Sequence, residues 1–228
     1  MFCDRCGTTV PASATQCPRC AAPLAAVAIV PAATPRGATA WISDGWNAVT
    51  ANFWVFIALT LIYLAAGSTV PILLQAPLGF GLQWAALRQV SGRRADFNDL
   101  TVGFNLFPAA VLLALTTGAI VISASLCLLI PGLIAIALLQ FPALLVIDRK
   151  LDFWSAIKES VTVSQKHFGT MIAFLALEIC VILGGALLCG VGILVAIPVM
   201  HAATAAAYID LFGLREETKA AIAGGRPQ

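Results

Sequence analysis

The chain has 228 residues, of which 60% are hydrophobic and 11% charged, with a mean hydropathy of +0.94. Soluble domains carry about 25% charged residues, so this composition cannot cover a water-facing surface and excludes an ordinary soluble fold. A net charge of +2 excludes a strongly basic nucleic-acid binder.

The first twenty residues hold four of the seven cysteines, spaced Cys3-x2-Cys6 and, ten residues on, Cys17-x2-Cys20. Two C-x2-C turns bring four thiolates to one ion in a tetrahedron, which describes a closed structural zinc site with no position left for a catalytic water. Iron and a pair of disulfides are the alternatives, and the paired spacing favours zinc. About 24 residues are too few to bury a core, so the metal would hold the segment together. Thiolate ligands belong in a reducing compartment, which predicts a cytoplasmic N-terminus. No basic region followed by an apolar stretch and cleavage site opens the chain, so the start reads as a domain rather than a signal peptide.

Residues 1–24 resemble the short zinc-ribbon domains at the N-termini of many bacterial membrane and regulatory proteins. The resemblance rests on Cys17-Pro18-Arg19-Cys20 and Pro23-Leu24, with Ala21 where the family has glycine. It implies an interaction module that recruits a cytoplasmic protein. Arg5 and Arg19 are its only basic residues, which argues against nucleic acid as the partner. Residues 25–40, rich in Ala and Pro, read as a semi-extended linker.

Residues 41–213 read as an all-α membrane bundle, followed by a cytoplasmic tail at 214–228. No charge occurs in 53–87, 100–147 or 179–209. A bilayer core takes about 20 apolar residues per helix, so each run holds a hairpin. The predicted helices are 50–68, 70–90, 105–125, 129–147, 168–187 and 190–211, six in all, with a re-entrant segment the rival reading for 70–90. Arg88, Arg93 and Arg94, then Arg149, Lys150, Lys158 and Lys166, then Arg215, Lys219 and Arg226 fall on one side of such a bundle. The opposite turns, at 67–71, 123–132 and 188–192, carry no charge. The positive-inside rule therefore places both termini in the cytoplasm, with the chain in a bacterial cytoplasmic membrane.

A repeat of about 54 residues is visible: Asp44-Gly45-Trp46, Asp96-Phe97-Asn98 and Asp152-Phe153-Trp154 each precede a hairpin. Each aspartate is expected to N-cap a short interfacial helix. The segment 152–167 is the clearest of the three, with Phe153, Ile157 and Val161 at helical spacing.

Within the spans, Glu178 is the one acidic residue far from an end, Asp210 sits at the inner end of the last helix, and His201 lies in that same helix. Glu178 and His201 fall at similar depths on antiparallel helices. An intramembrane carboxylate is a functional hypothesis by default, here a proton or ion pathway, against the structural alternative of a buried acid bonded to its neighbour. Cys127 and Cys189 fall at outer turns and read as free thiols or a disulfide, and Cys180 as a packing residue. Gly184, Gly185, Gly190 and Gly192 permit close helix approach, within one chain or between copies.

The runs Pro77-Leu78-Gly79-Phe80, Leu128-Leu129-Ile130-Pro131-Gly132, Val146-Ile147-Asp148-Arg149 with Phe153-Trp154-Ser155, and Ala207-Tyr208-Ile209-Asp210 resemble a group of bacterial six-helix membrane proteins of unknown function. That group is related to the membrane domain attached to some glycerophosphodiester phosphodiesterases. The resemblance implies architecture only, because the soluble phosphodiesterase domain has no counterpart here. No nucleophile–base pair, phosphate loop or cluster of polar residues at one depth is legible, so the chain does not read as an enzyme. The leading expectation is a membrane-anchored adaptor working through the zinc ribbon. The alternative is a small transporter or channel using Glu178 and His201.

Overall fold

The structure, a computed structural model, describes residues 35–69, 71–187 and 191–224. The four ribbon cysteines Cys3, Cys6, Cys17 and Cys20, and with them the zinc expectation, lie outside the described residues, as does Cys189. The described part is helical, with no strand.

Helix α1 (Ala38–Ala51) begins inside the stretch read as linker. It buries a stripe of Ala38, Trp41, Gly45 and Val49 at helical spacing, chiefly against α10 (Val191–Phe212). Gly45 permits this. A β-carbon there would stand 2.7 Å from both the Ala203 amide nitrogen and the Val199 carbonyl oxygen. Asp44 lies mid-helix and pairs with Arg36 at 2.8 Å. It is therefore no N-cap, contrary to the repeat pattern, because the helix starts six residues before it.

Helix α2 (Phe53–Thr69) leaves α1 at 99° across Asn52. The Asn52 amide holds the bend by donating to the Ala95 carbonyl at 3.0 Å. Helix α3 (Pro71–Val90) then runs through the interior, with almost every residue from Pro77 to Leu87 buried. It touches α10, α2, α5 (Phe107–Cys127), a 3-10 turn (Phe97–Thr101) and the short α4 (Val102–Asn105). Asp96 caps the 3-10 turn in a capping box with Asp99, as the repeat predicts. Asp99 also forms an ion pair with Arg88 of α3, with both side chains largely buried.

The helix expected at 129–147 is interrupted. Helix α6 (Leu129–Leu138) ends, residues 139–141 leave the helical path, and α7 (Pro142–Arg149) resumes with proline at its first position. Proline has no N–H to give the carbonyl four residues back, and its ring collides with that carbonyl, so the helix breaks before it. The carbonyl concerned, that of Leu138, accepts instead from the Ser160 hydroxyl at 2.7 Å. Ser160 lies on α8 (Phe153–Lys166), which Asp152 caps by accepting from the Ser155 amide at 3.1 Å. That bond and the Ser155 side chain hold the Asp152 carboxyl below its ordinary pKa.

Helix α9 (Phe168–Leu187) packs against α10. Gly185 and Gly192 bring the two backbones into contact, whereas a β-carbon on Gly184 would meet nothing within 4 Å. Cys180 is exposed on α9 and is not the packing residue expected. It lies two positions beyond buried Glu178, about 200° around the helix, and so points outward. The final helix α11 (Glu216–Gly224) folds back through Thr218, whose hydroxyl donates to the Asp148 carbonyl at 3.3 Å.

Four stretches are long and apolar enough to cross a membrane: Phe107–Leu126, Ile130–Arg149, Phe168–Leu187 and Gly192–Phe212. The bent pair α1–α2 makes a fifth if it counts as one span. Large apolar side chains on their outer faces, among them Ile122, Leu126, Leu183 and Leu187, are exposed and suit lipid. The chain is a helical membrane protein by this measure. Helix α3 falls below the threshold because Gln75, Gln83, Arg88 and Gln89 lower its hydropathy.

Candidate functional site

The residues that matter come one or two from each helix. Glu178 stands midway along α9 and is only 4% exposed. Its carboxylate accepts from the Gln140 amide nitrogen at 2.7 Å and from the Thr204 hydroxyl at 3.4 Å. Gln140 occupies the break between α6 and α7, and Thr204 lies on α10 one turn beyond His201. The helix break therefore has a consequence for the site: it swings a glutamine against the carboxylate from a segment with no helical register of its own.

Two adjoining cavities of about 770 and 310 Å³ open beside this cluster. Both are lined by Tyr63 of α2, Gln75 and Gln83 of α3, Thr117 of α5, Gln140 and His201, and the larger also by Glu178 and Thr204. No lysine or arginine lines either. The apolar wall of the larger cavity includes Ile136, Ile182, Ile197 and Met200. Ile136 on α6 and Ile182 on α9 are also exposed, so the cavity is open beside these two side chains.

Two lining side chains hold a buried polar atom without a partner among the described residues: Oε1 of Gln83 and Oε1 of Gln140. A buried carbonyl left unbonded costs about 1–3 kcal/mol, so its retention calls for an explanation. The Gln140 amide nitrogen faces the Glu178 carboxyl, which leaves its carbonyl on the other side.

Glu178 and His201 thus line one cavity, but among the described residues no hydrogen bond or ion pair joins them. His201 packs edge-on to Tyr63, ring centroids 6.2 Å apart, with no hydrogen-bond partner among the described residues. Gln140 and Thr204, which the sequence did not single out, are the carboxylate's partners. The sequence shows no polar cluster at one depth, and the cavity draws Tyr63, Gln75, Gln83, Gln140, Glu178 and Thr204 onto one wall. The available signal was amide side chains, Gln75, Gln83 and Gln140, inside otherwise apolar predicted helices.

A second polar group lies at the ends of α7 and α10. Buried Asp148 accepts from the Tyr208 hydroxyl at 2.7 Å and the Arg215 amide at 3.2 Å. Arg149 reaches Glu159 at 3.1 Å and the Phe212 carbonyl at 3.0 Å. Asp210 accepts from the Trp41 indole at 2.9 Å and the Arg36 amide at 2.8 Å. Every charge here has a partner, and the group fastens the N-terminal and C-terminal segments to the bundle. It is structural.

No group of three or more His, Cys, Asp or Glu suited to a metal occurs among the described residues. No protein-family model, curated protein or solved structure matches the chain.

Proposed function

We propose that this protein binds a small polar solute within the membrane and carries it across, using the cavity around Glu178. One observation carries the reading: five helices and one helix break direct polar side chains into a cavity beside a buried carboxylate midway along a span. Structural acids inside membranes are bonded on all sides by neighbours. Here the acid has partners on one side and a cavity of about 770 Å³ on the other, with further polar atoms left unbonded. An interrupted helix belongs at such a place, because irregular backbone at membrane depth is tolerated where it lines a cavity.

The chain crosses the bacterial cytoplasmic membrane six times in this reading, with α3 as an interior span and both termini cytoplasmic. The charge distribution supports the orientation. Exposed Trp46, Trp54, Phe97, Trp154 and Phe168, in or beside the three short pre-hairpin segments, suit a headgroup layer at that end. The resemblance to six-helix bacterial membrane domains agrees with the same count. The cysteines Cys3, Cys6, Cys17 and Cys20 form a donor set of four thiolates, which fits structural zinc and a cytoplasmic interaction module. That paired spacing is the observation favouring a second reading, in which the ribbon recruits a protein partner and the bundle is mainly its anchor.

Solute flux in proteoliposomes separates the two. A transporter loses at least tenfold in flux on Glu178→Gln, and an adaptor variant Cys17→Ser/Cys20→Ser loses its partner set in proximity labelling while flux is unchanged. Wild-type protein that moves no solute under any gradient refutes transport.

A further inference from the structure

We infer that the ligand of the Glu178 cavity is an organic ammonium ion, a protonated amine on an apolar body, that enters from the lipid beside Ile136 and Ile182. The inference rests on the solute-binding reading and specifies its chemistry. The cavity wall carries the Glu178 carboxylate together with Gln83 and Gln140, whose carbonyl oxygens lie buried within that wall without a partner among the described residues. Gln83 is only 8% exposed, so water outside the protein does not satisfy it. A ligand that answers these atoms must bring N–H or O–H donors. A carboxylate with no lysine or arginine on the same wall adds a preference for positive charge.

Size and lining separate an organic cation from a metal ion. About 770 Å³ is far larger than any bare ion and lies in the range of small-molecule sites. An ion coordinated only by protein would need a tighter set of oxygens, and no group of three or more His, Cys, Asp or Glu suited to a metal occurs among the described residues. Ile197 and Met200 give an apolar body a surface, and Met adapts to irregular shapes. Exposed Ile136 and Ile182 flank the mouth, so an amphipathic amine already dissolved in the bilayer meets an apolar entrance. The ammonium group then exchanges an unfavourable membrane interior for a carboxylate and two carbonyls.

The purified full-length protein in lipid nanodiscs is titrated with 4-phenylbutylammonium, with empty nanodiscs subtracted. Competitors are 4-phenylbutanol, which has the same body without charge, tetraphenylphosphonium, a cation without donors, and sodium or potassium ions. Saturable amine binding is expected, weakened at least tenfold in Glu178→Gln, with none of the competitors displacing it at equal concentration. Gln83→Met provides the second variant. Removing an unsatisfied buried carbonyl for an apolar group of similar shape leaves stability unchanged or higher, so binding should fall while the unfolding midpoint does not. Displacement by the alcohol or by tetraphenylphosphonium, undiminished binding in both variants, or stabilisation by sodium or potassium alone overturns the amine assignment. Amine binding without flux sinks transport and leaves the ligand class standing. Flux of another solute without amine binding does the reverse.

Discussion

The buried ion pair between Arg88 and Asp99 gives the sharpest test of how the bundle is held together at the end of α3. The side chains are 14% and 2% exposed. One Asp99 oxygen takes the guanidinium, and the other accepts from the Asp96 amide at 2.8 Å to close the capping box. Replacing Asp99 by alanine strands a buried guanidinium, which costs about 3–5 kcal/mol. Losing its half of the capping box adds about 1 kcal/mol. The double variant Arg88→Met/Asp99→Ala removes both charges together. It should therefore recover most of the first penalty and retain only the second, since well-packed apolar replacements of buried pairs are often neutral or better. Arg88 Nε has no partner among the described residues, which limits what the intact pair contributes.

The assay is equilibrium unfolding in mixed micelles with increasing SDS, followed through the fluorescence of buried Trp41 and Trp84. The double-mutant cycle should show a coupling energy of at least about 3 kcal/mol. A single Asp99→Ala costing under about 1 kcal/mol, or single effects that simply add, would show that the two charges are solvated and that the end of α3 is open to water. The reasoning about an interior α3 would then be wrong.

Three further outcomes are expected. Gly45→Leu drives a side chain into the α10 backbone, which has no flexible end to yield, and should cost about 1–3 kcal/mol in the same assay; Gly184→Ala, facing open space, should change the midpoint little. The depressed carboxyl of Asp152 stabilises α8 above its ordinary pKa, and that contribution disappears as pH falls through the lowered value. Amide protection in α8, corrected for intrinsic exchange, should therefore drop in acid for the wild type and stay flat for Asp152→Asn, and a flat wild type would deny the cap its ionic part. Purified protein should contain about one zinc per chain by elemental analysis and lose it in Cys17→Ser/Cys20→Ser, whereas iron in its place would revise the metal.

Helix positions were legible because apolar runs bounded by charge leave few choices, and α9 and α10 fall within a residue or so of their expected limits. The cap of α8 was legible too, because Asp followed by helix formers is a local signal. Other features were not. The first residues of α1, Ala38 to Ala40, were hidden by Ala, Pro and low charge, which read equally as linker. Pro142 marked the break in the 129–147 run, but proline within a membrane helix is common enough that periodicity gives no reason to stop there. Cys180 looked like core because hydrophobicity cannot distinguish a side chain facing protein from one facing lipid. In a membrane protein both are apolar, so the inside–outside rule that identifies a soluble core loses its force.

The same loss explains why only Glu178 and His201 were visible in the cavity. A titratable group in an apolar run is conspicuous; Gln75, Gln83, Gln140, Thr117 and Thr204 are neutral, and each sits in a largely apolar stretch of the chain. Only packing assembles them. Helix α3 shows the logic in reverse. It is too polar to qualify as a span by hydropathy and is nevertheless enclosed by the bundle from Pro77 to Leu87. Lipid selects for apolar surface only where it touches, so a helix surrounded by other helices is free to carry glutamines, and those glutamines can be directed at a ligand. The shortfall in hydropathy is therefore evidence for an interior position, and it places Gln83 where function rather than solubility decides the residue. Gln83→Met tests this directly: a helix meant for lipid would gain from the change, and a helix built around a ligand would gain stability while losing its binding.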